Sequence, residues 1–157
     1  MRICVVILTL LSACSNGEPA ICYEEIGIEA LNSNNLKEAY ELLKNCDHAE
    51  ASGKALHSLH FLIFPKGFGS YSSLDDRIST SHKLLCRSAL KGFEASVNSI
   101  SFIYLNGDEF IGVAPNKAIS ECLSNITSPD SSEYVSPLDV KRCLSLNPSI
   151  DSTYHCN

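Results

Sequence analysis

The 157 residues, 45% of them hydrophobic, suit one folded domain. The absence of tryptophan and an aromatic content of only 8% argue against an all-β sandwich or barrel. A formal net charge of −6 argues against nucleic acid and anionic lipid surfaces as partners, and is compatible with a basic protein partner.

Arg2 precedes an apolar run, Ile3 to Leu11, broken only by Thr9. The run is too short to span a bilayer and reads as a signal peptide. Leu11-Ser12-Ala13-Cys14 follows and resembles the lipobox of bacterial lipoproteins. That resemblance implies cleavage after residue 13, lipidation of Cys14 and a membrane anchor facing the periplasm, with Ser15 favouring the outer membrane. An ordinary secretory signal cut near Ala20 is the alternative. Arg2 is the only charged residue among the first 13, so its loss takes the net charge from −6 to −7. Residues 14–19 then form a lipidated tether, and residues 20–157 the folded domain.

Pro19 can open a helix at its first position. Tyr23, Ile26, Gly27 and Ala30 follow on one face at helical spacing. The run 32–35 (Asn-Ser-Asn-Asn) breaks that helix, and Asn35 with Glu38 predicts a capping box for the next. Leu36, Ala39, Tyr40 and Leu43 form its apolar stripe. Cys22 and Cys46 each lie twelve residues from Asn34. In a hairpin of helices both would sit about 18 Å from the turn at ~1.5 Å per residue, so a Cys22–Cys46 bond is predicted.

A third helix is predicted from about His48 to Phe64, with Ala51, Ala55, Leu59 and Leu62 inward, ended by Phe64-Pro65. A Gly/Ser-rich loop, Lys66 to Asp76, carries Phe68 and Tyr71. The helix Arg77 to Lys91 is striped by Ile78, His82, Leu85 and Ala89 and stops at Gly92. Another helix runs from about Glu94 to a second stop at Asn106-Gly107. A loop from Asp108 to Pro115 leads to a short helix, Asn116 to Leu123. After the polar residues 124–135, Ser136-Pro137-Leu138-Asp139 supplies an N-cap, a first-position proline and a first-turn acid. That last helix packs Val140, Cys143 and Leu144 and ends before Asn147-Pro148.

The layout from Ala89 onward resembles a Sel-one-like repeat, a relative of the tetratricopeptide helix pair. The matching residues are Ala89, Gly92, Ala95, Tyr104, Gly107, Gly112 and Ala118. An earlier copy is visible at an offset of 44, where Glu50-Ala51-Ser52 anticipates Glu94-Ala95-Ser96, and Ala55 and Leu59 anticipate Ser99 and Ile103. The resemblance spans residues 49–123, about half of the chain. It implies an all-α fold: a short right-handed solenoid of about three antiparallel helix pairs, capped by residues 124–157 and stapled by disulfides. Cys22, Cys46, Cys86, Cys122, Cys143 and Cys156 form an even set, as expected of an exported chain. Adjacent second helices stack in this family, which implies Cys86–Cys122, with Cys143–Cys156 pinning the C-terminal tail. The competing pairing is Cys122–Cys143 with Cys86–Cys156.

No enzyme, cofactor or metal is predicted. His57 and His60, with His48 and Glu50 nearby, supply only part of a ligand set and read as groove or core side chains. No Gly-x-Ser-x-Gly elbow is present, and Gly67-Phe68-Gly69 lacks the lysine and helix of a phosphate loop. Asp75-Asp76 and Asp108-Glu109 read as solvated loop acids. Aromatic side chains in repeat loops commonly anchor partners, so the expected contact surface is Phe68, Tyr71, Phe110, Asp75, Asp76, Asp108 and Glu109. Tyr104 is either part of it or helix packing. Small Sel-one-like lipoproteins include immunity proteins that neutralise lipase effectors of type VI secretion. The resemblance therefore implies a non-enzymatic, lipid-anchored envelope protein that occludes a toxic lipase; the alternative is an envelope assembly or signalling scaffold with an endogenous partner.

Overall fold

Short polar side chains fix where most of the helices begin. The hydroxyls of Ser52, Ser73 and Ser136 accept from the backbone N–H groups of Ala55, Asp76 and Asp139, and Asn116 Oδ1 accepts from Ile119. The computed structural model describes residues 21–48, 50–127, 133–146 and 156, and over them the chain is all-helical, with no strand. The helices are α1 (Glu24–Asn32), α2 (Leu36–Leu43), α3 (Gly53–Ile63), α4 (Leu74–Leu90), α5 (Glu94–Asn106), α6 (Lys117–Ile126) and α7 (Pro137–Leu144). None is long and apolar enough to cross a membrane. Cys14 and the leader lie outside the described residues.

Several boundaries differ from the sequence expectation, each for a local reason. Helix α3 begins at Gly53 rather than near His48, because Ser52 caps it while the Glu24 carboxylate accepts from Ser52 N–H at 2.9 Å. Ala51 is still fully buried, so its place in the apolar stripe is real although it is not helical. Consequently Glu50-Ala51-Ser52 precedes α3 whereas Glu94-Ala95-Ser96 forms the first turn of α5, and the two copies are not in equivalent places. Helix α4 begins at Leu74, so Asp75 and Asp76 belong to its first turn, where negative charge favours the helix dipole. Tyr23, just before α1, and Ile26 on it are exposed; the packed face is Gly27, Ile28, Ala30 and Leu31.

Two apolar clusters fill the interior, and α4 contributes to both. Leu84 joins Leu43, Leu56, Leu59 and Leu62 in the cluster built by α1 to α3. Ile78, Leu85 and Ala89 join Val97, Ile100, Ile119, Leu123 and Val140 in the cluster built by α5 to α7. The turn between α4 and α5 receives the segment before α7. Val135 N–H donates to Gly92 O at 2.7 Å and Glu94 N–H to Glu133 O at 3.1 Å. Gly92 holds φ +81°, and a Cβ there would lie 2.1 Å from Val135 O.

Cys22 is bonded to Cys46 as expected, tying the start of α1 to the residues after α2. The other two expected bonds are corrected. Cys86 pairs with Cys156 and Cys122 with Cys143; neither Cys86–Cys122 nor Cys143–Cys156 forms. Helix α6 packs on α5 and α7 and carries Cys122 onto Cys143, while α4 packs chiefly on α3, α5 and α7. Cys86 is thereby left for the tail. Bonds closing loops of 21 and 70 residues each contribute about 3–4 kcal/mol by the chain-entropy model.

Trypsin under non-reducing conditions should release one species of three linked peptides, 84–87, 118–141 and 143–157. The pairing Cys86–Cys122 with Cys143–Cys156 would instead free 143–157 as a separate, internally bonded peptide. Gly92→Ala should lower unfolding stability by about 2 kcal/mol or more, since it combines an unfavourable φ with displacement of the Val135 carbonyl. Denaturant titration measures it.

Candidate functional site

A hydrogen-bonded chain of small polar groups pins α3, α4 and α5 together. Ser88 Oγ lies 2.5 Å from Gly53 O, a carbonyl that can only accept, so the Ser88 proton is spent there. Ser96 must then donate to Ser88 across 2.6 Å. Ser96 Oγ in turn accepts from His57 Nδ1–H at 2.8 Å. The direction of the whole chain follows from its last member. His57 carries its proton on Nδ1, and its ring packs against Phe93 with centroids 5.2 Å apart.

His60, one turn later on α3, is fixed the same way by α4. Its Nδ1–H is shared between Ser81 O at 3.0 Å and Ser81 Oγ at 2.7 Å, while the Ser81 hydroxyl donates back to His60 O at 3.2 Å. Burial pushes the pKa of His57 down to about 4, helped by the neighbouring His60. Burial also lowers that of His60, partly offset by its bond to the Ser81 carbonyl. Both rings are neutral at pH 7.

The three helices line a cleft of about 540 Å³. Helix α3 and the residues after it contribute His60, Phe64 and Pro65; α4 contributes Ile78, Ser81, His82 and Leu85. Helix α5 contributes Asn98, Ser99, Phe102 and Ile103, and the following turn Asp108 and Ile111. Phe102 is 67% exposed and Phe64 39%, so large apolar side chains stand in water at the cleft edge. Leu105, one turn beyond Phe102, is 52% exposed.

The structure divides the contact surface expected from sequence. Phe68 stacks on Tyr40, with centroids 5.5 Å apart, and half-buried Tyr71 joins it against the α1–α3 cluster. Asp76 accepts from the backbone and hydroxyl of Ser72, and Asp75 is exposed beside it on α4. Only Asp108 lines the cleft, with exposed Glu109 and Phe110 following it in the turn. Tyr104 is buried, so it packs helices. Phe64, Phe102 and Leu105 were not in the expected set. The available signal was α5 itself, whose apolar residues fall on all its sides.

A spacing that sequence reading passed over is Ser88-Ala89-Leu90-Lys91, which fits the Ser-x-x-Lys pattern of acylating enzymes. Ser88 is fully buried with its proton committed to Gly53, so it presents no nucleophile. His82, Cys86 and Cys156 bring their ligating atoms within 4.8 Å, but both sulfurs are consumed in a disulfide. Among the described residues no third ligating side chain joins His57 and His60. No family model, curated protein or solved structure matches this chain. The likeness to Sel-one-like repeats therefore rests on the residues named above. Of those, Ala89, Gly92 and Tyr104 are buried, whereas Ala95, Gly112 and Ala118 are exposed.

Because the folded state resists protonating His57, the unfolded chain takes up that proton first as pH falls below about 6.5. Stability should decline from there to about pH 4, the folded pKa of His57. His57→Asn places an amide N–H where Nδ1–H was and cannot titrate. Its stability difference from the parent should shrink across that window in denaturant titrations. An unchanged difference would remove His57 as the source.

Proposed function

We propose that this chain is an exported, non-enzymatic protein that binds a partner protein through the α3–α4–α5 cleft and its aromatic edge. The observation carrying this reading is an apolar cleft flanked by strongly exposed Phe102. Contiguous exposed apolar side chains around a concavity mark interaction sites on soluble proteins. Three disulfides agree with an oxidising compartment outside the cytoplasm.

The finer reading rests on the sequence resemblances. The helices would form a short right-handed solenoid of about three antiparallel pairs with α7 as its cap, and Cys14 would hold it by lipid to the periplasmic side of the envelope. The partner would be a secreted antibacterial effector of lipase type, neutralised by occlusion of its active-site entrance. Acidity, export and the lack of a catalytic constellation are mutually consistent with that role.

The test is affinity capture with the disulfide-bonded protein, from lysates with and without the neighbouring gene product. Recovery of a stoichiometric complex with a toxic lipase-type protein supports immunity; recovery of native envelope components alone supports a scaffold. Phe102→Ala should leave the melting temperature unchanged, because the ring is largely exposed, and weaken the complex about thirtyfold or more. A complex that tolerates the substitution rejects the cleft as the docking surface.

A further inference from the structure

Nearly all the polar groups lining the α3–α4–α5 cleft accept hydrogen bonds. The Ser99 hydroxyl donates to Ala95 O at 2.8 Å, leaving its oxygen to accept. His60 has spent Nδ1–H on Ser81, so the nitrogen it retains for a ligand, Nε2, carries a lone pair. The Ser81 proton is spent on His60 O. Asp108 is an acceptor and brings the single formal charge among the lining residues, which include neither lysine nor arginine. Asn98 can act in either sense, and His82 is already engaged near Cys86.

This pattern discriminates between ligands. An anion would meet the Asp108 charge and a set of lone pairs with hardly a donor to receive it. A purely apolar group would strip water from those acceptors without replacing its hydrogen bonds, a loss for each group left unpaired. A cation rich in N–H groups on an apolar stem satisfies both parts. Its methylenes lie along walls such as Ile78 and Ile103, its charge faces Asp108, and the lining rings of Phe64 and Phe102 can offer a face for cation–π contact. The net charge of −6 attracts the same sign of partner at longer range.

We propose, resting on the protein-binding reading above, that the group seated in this cleft is a lysine or arginine side chain carried beside an aliphatic or aromatic residue of the partner protein. Three probes sharing one skeleton test it: phenylbutylguanidinium, phenylbutanol and phenylbutyrate. Each is titrated into the disulfide-bonded protein and followed by NMR of the Ile78, Ile103 and Ile111 methyls. The guanidinium should shift all three and bind at least tenfold more tightly than the carboxylate. Asp108→Asn retains the Oδ1 that accepts from Phe110 N–H at 3.0 Å, so the turn persists. It should weaken the guanidinium at least fivefold and leave the alcohol unchanged.

Equal or tighter binding of the carboxylate overturns the proposal, as does indifference of the guanidinium to Asp108→Asn or the absence of binding by all three. The two readings fail separately. A partner that requires Phe102 while the probes show no preference for the cation removes this chemistry and keeps the docking surface. A cation preference with a partner that ignores Phe102 retains the cation selectivity of the cleft and removes the cleft as that partner's docking surface.

Discussion

The close approach of α3, α4 and α5 at Gly53, Ser88 and Ser96 is the constraint on which the rest of the structure depends. A Cβ on Gly53 would lie 2.8 Å from that of Phe93 and 3.3 Å from Ser88 O, so the contact tolerates nothing larger than glycine without movement. Buried hydroxyls at such a point must be satisfied, and each donor here has one acceptor in a single consistent direction. One to three turns further along lie His60 and Phe64, Leu85 to Ile78, and Ser99 to Ile103, the residues of the cleft. The three helices touch through small residues at that approach, and α3 and α4 stay joined by His60 and Ser81 where they line the cleft.

The same contact joins the two halves of the interior. Cys22–Cys46 staples the cluster of α1 to α3, and the other two disulfides lie within the cluster of α5 to α7 and its neighbours on α4. Among the described residues no disulfide crosses between the clusters. What crosses is α4, with Leu84 facing one side and Leu85 the other, and the hydrogen bonds from His57, His60 and Ser88. Covalent constraint therefore stabilises each half, while their mutual placement, and with it the shape of the cleft, is held by noncovalent contacts between α3, α4 and α5.

Local chemistry was legible in the sequence wherever it acts through neighbours in the chain. Ser136 with Pro137 marked the start of α7, and Gly92 and Gly107, at φ +81° and +77°, marked helix ends. The Cys22–Cys46 bond followed from the symmetry of one hairpin. What failed needed three dimensions. The start of α3 was misplaced because Ala51 is buried without being helical, and burial periodicity alone cannot distinguish the two. The pairing of Cys86 and Cys122 depended on whether α4 or α7 neighbours α6, which no spacing encodes. Phe102 reads in sequence as one more apolar residue on a helix that is apolar all round. Only its exposure separates it from Ile100.

The acceptor character of the cleft is itself a product of this packing. An imidazole in water near neutral pH samples the protonated form, in which both nitrogens donate. A protonated His60 would add a positive charge and a donor to the cleft wall, and a basic side chain would then be repelled. Burial between α3 and α4 disfavours that form, and the Ser81 carbonyl fixes the remaining proton on Nδ1. The same balance holds at His57, where burial is joined by the neighbouring His60, its ring centroid 6.0 Å away. Two histidines that resemble half a metal site in sequence thus serve in the fold as neutral, oriented groups. Their neutrality keeps positive charge off this part of the wall, and Asp108 is the only carboxylate among the lining residues, which include no lysine or arginine.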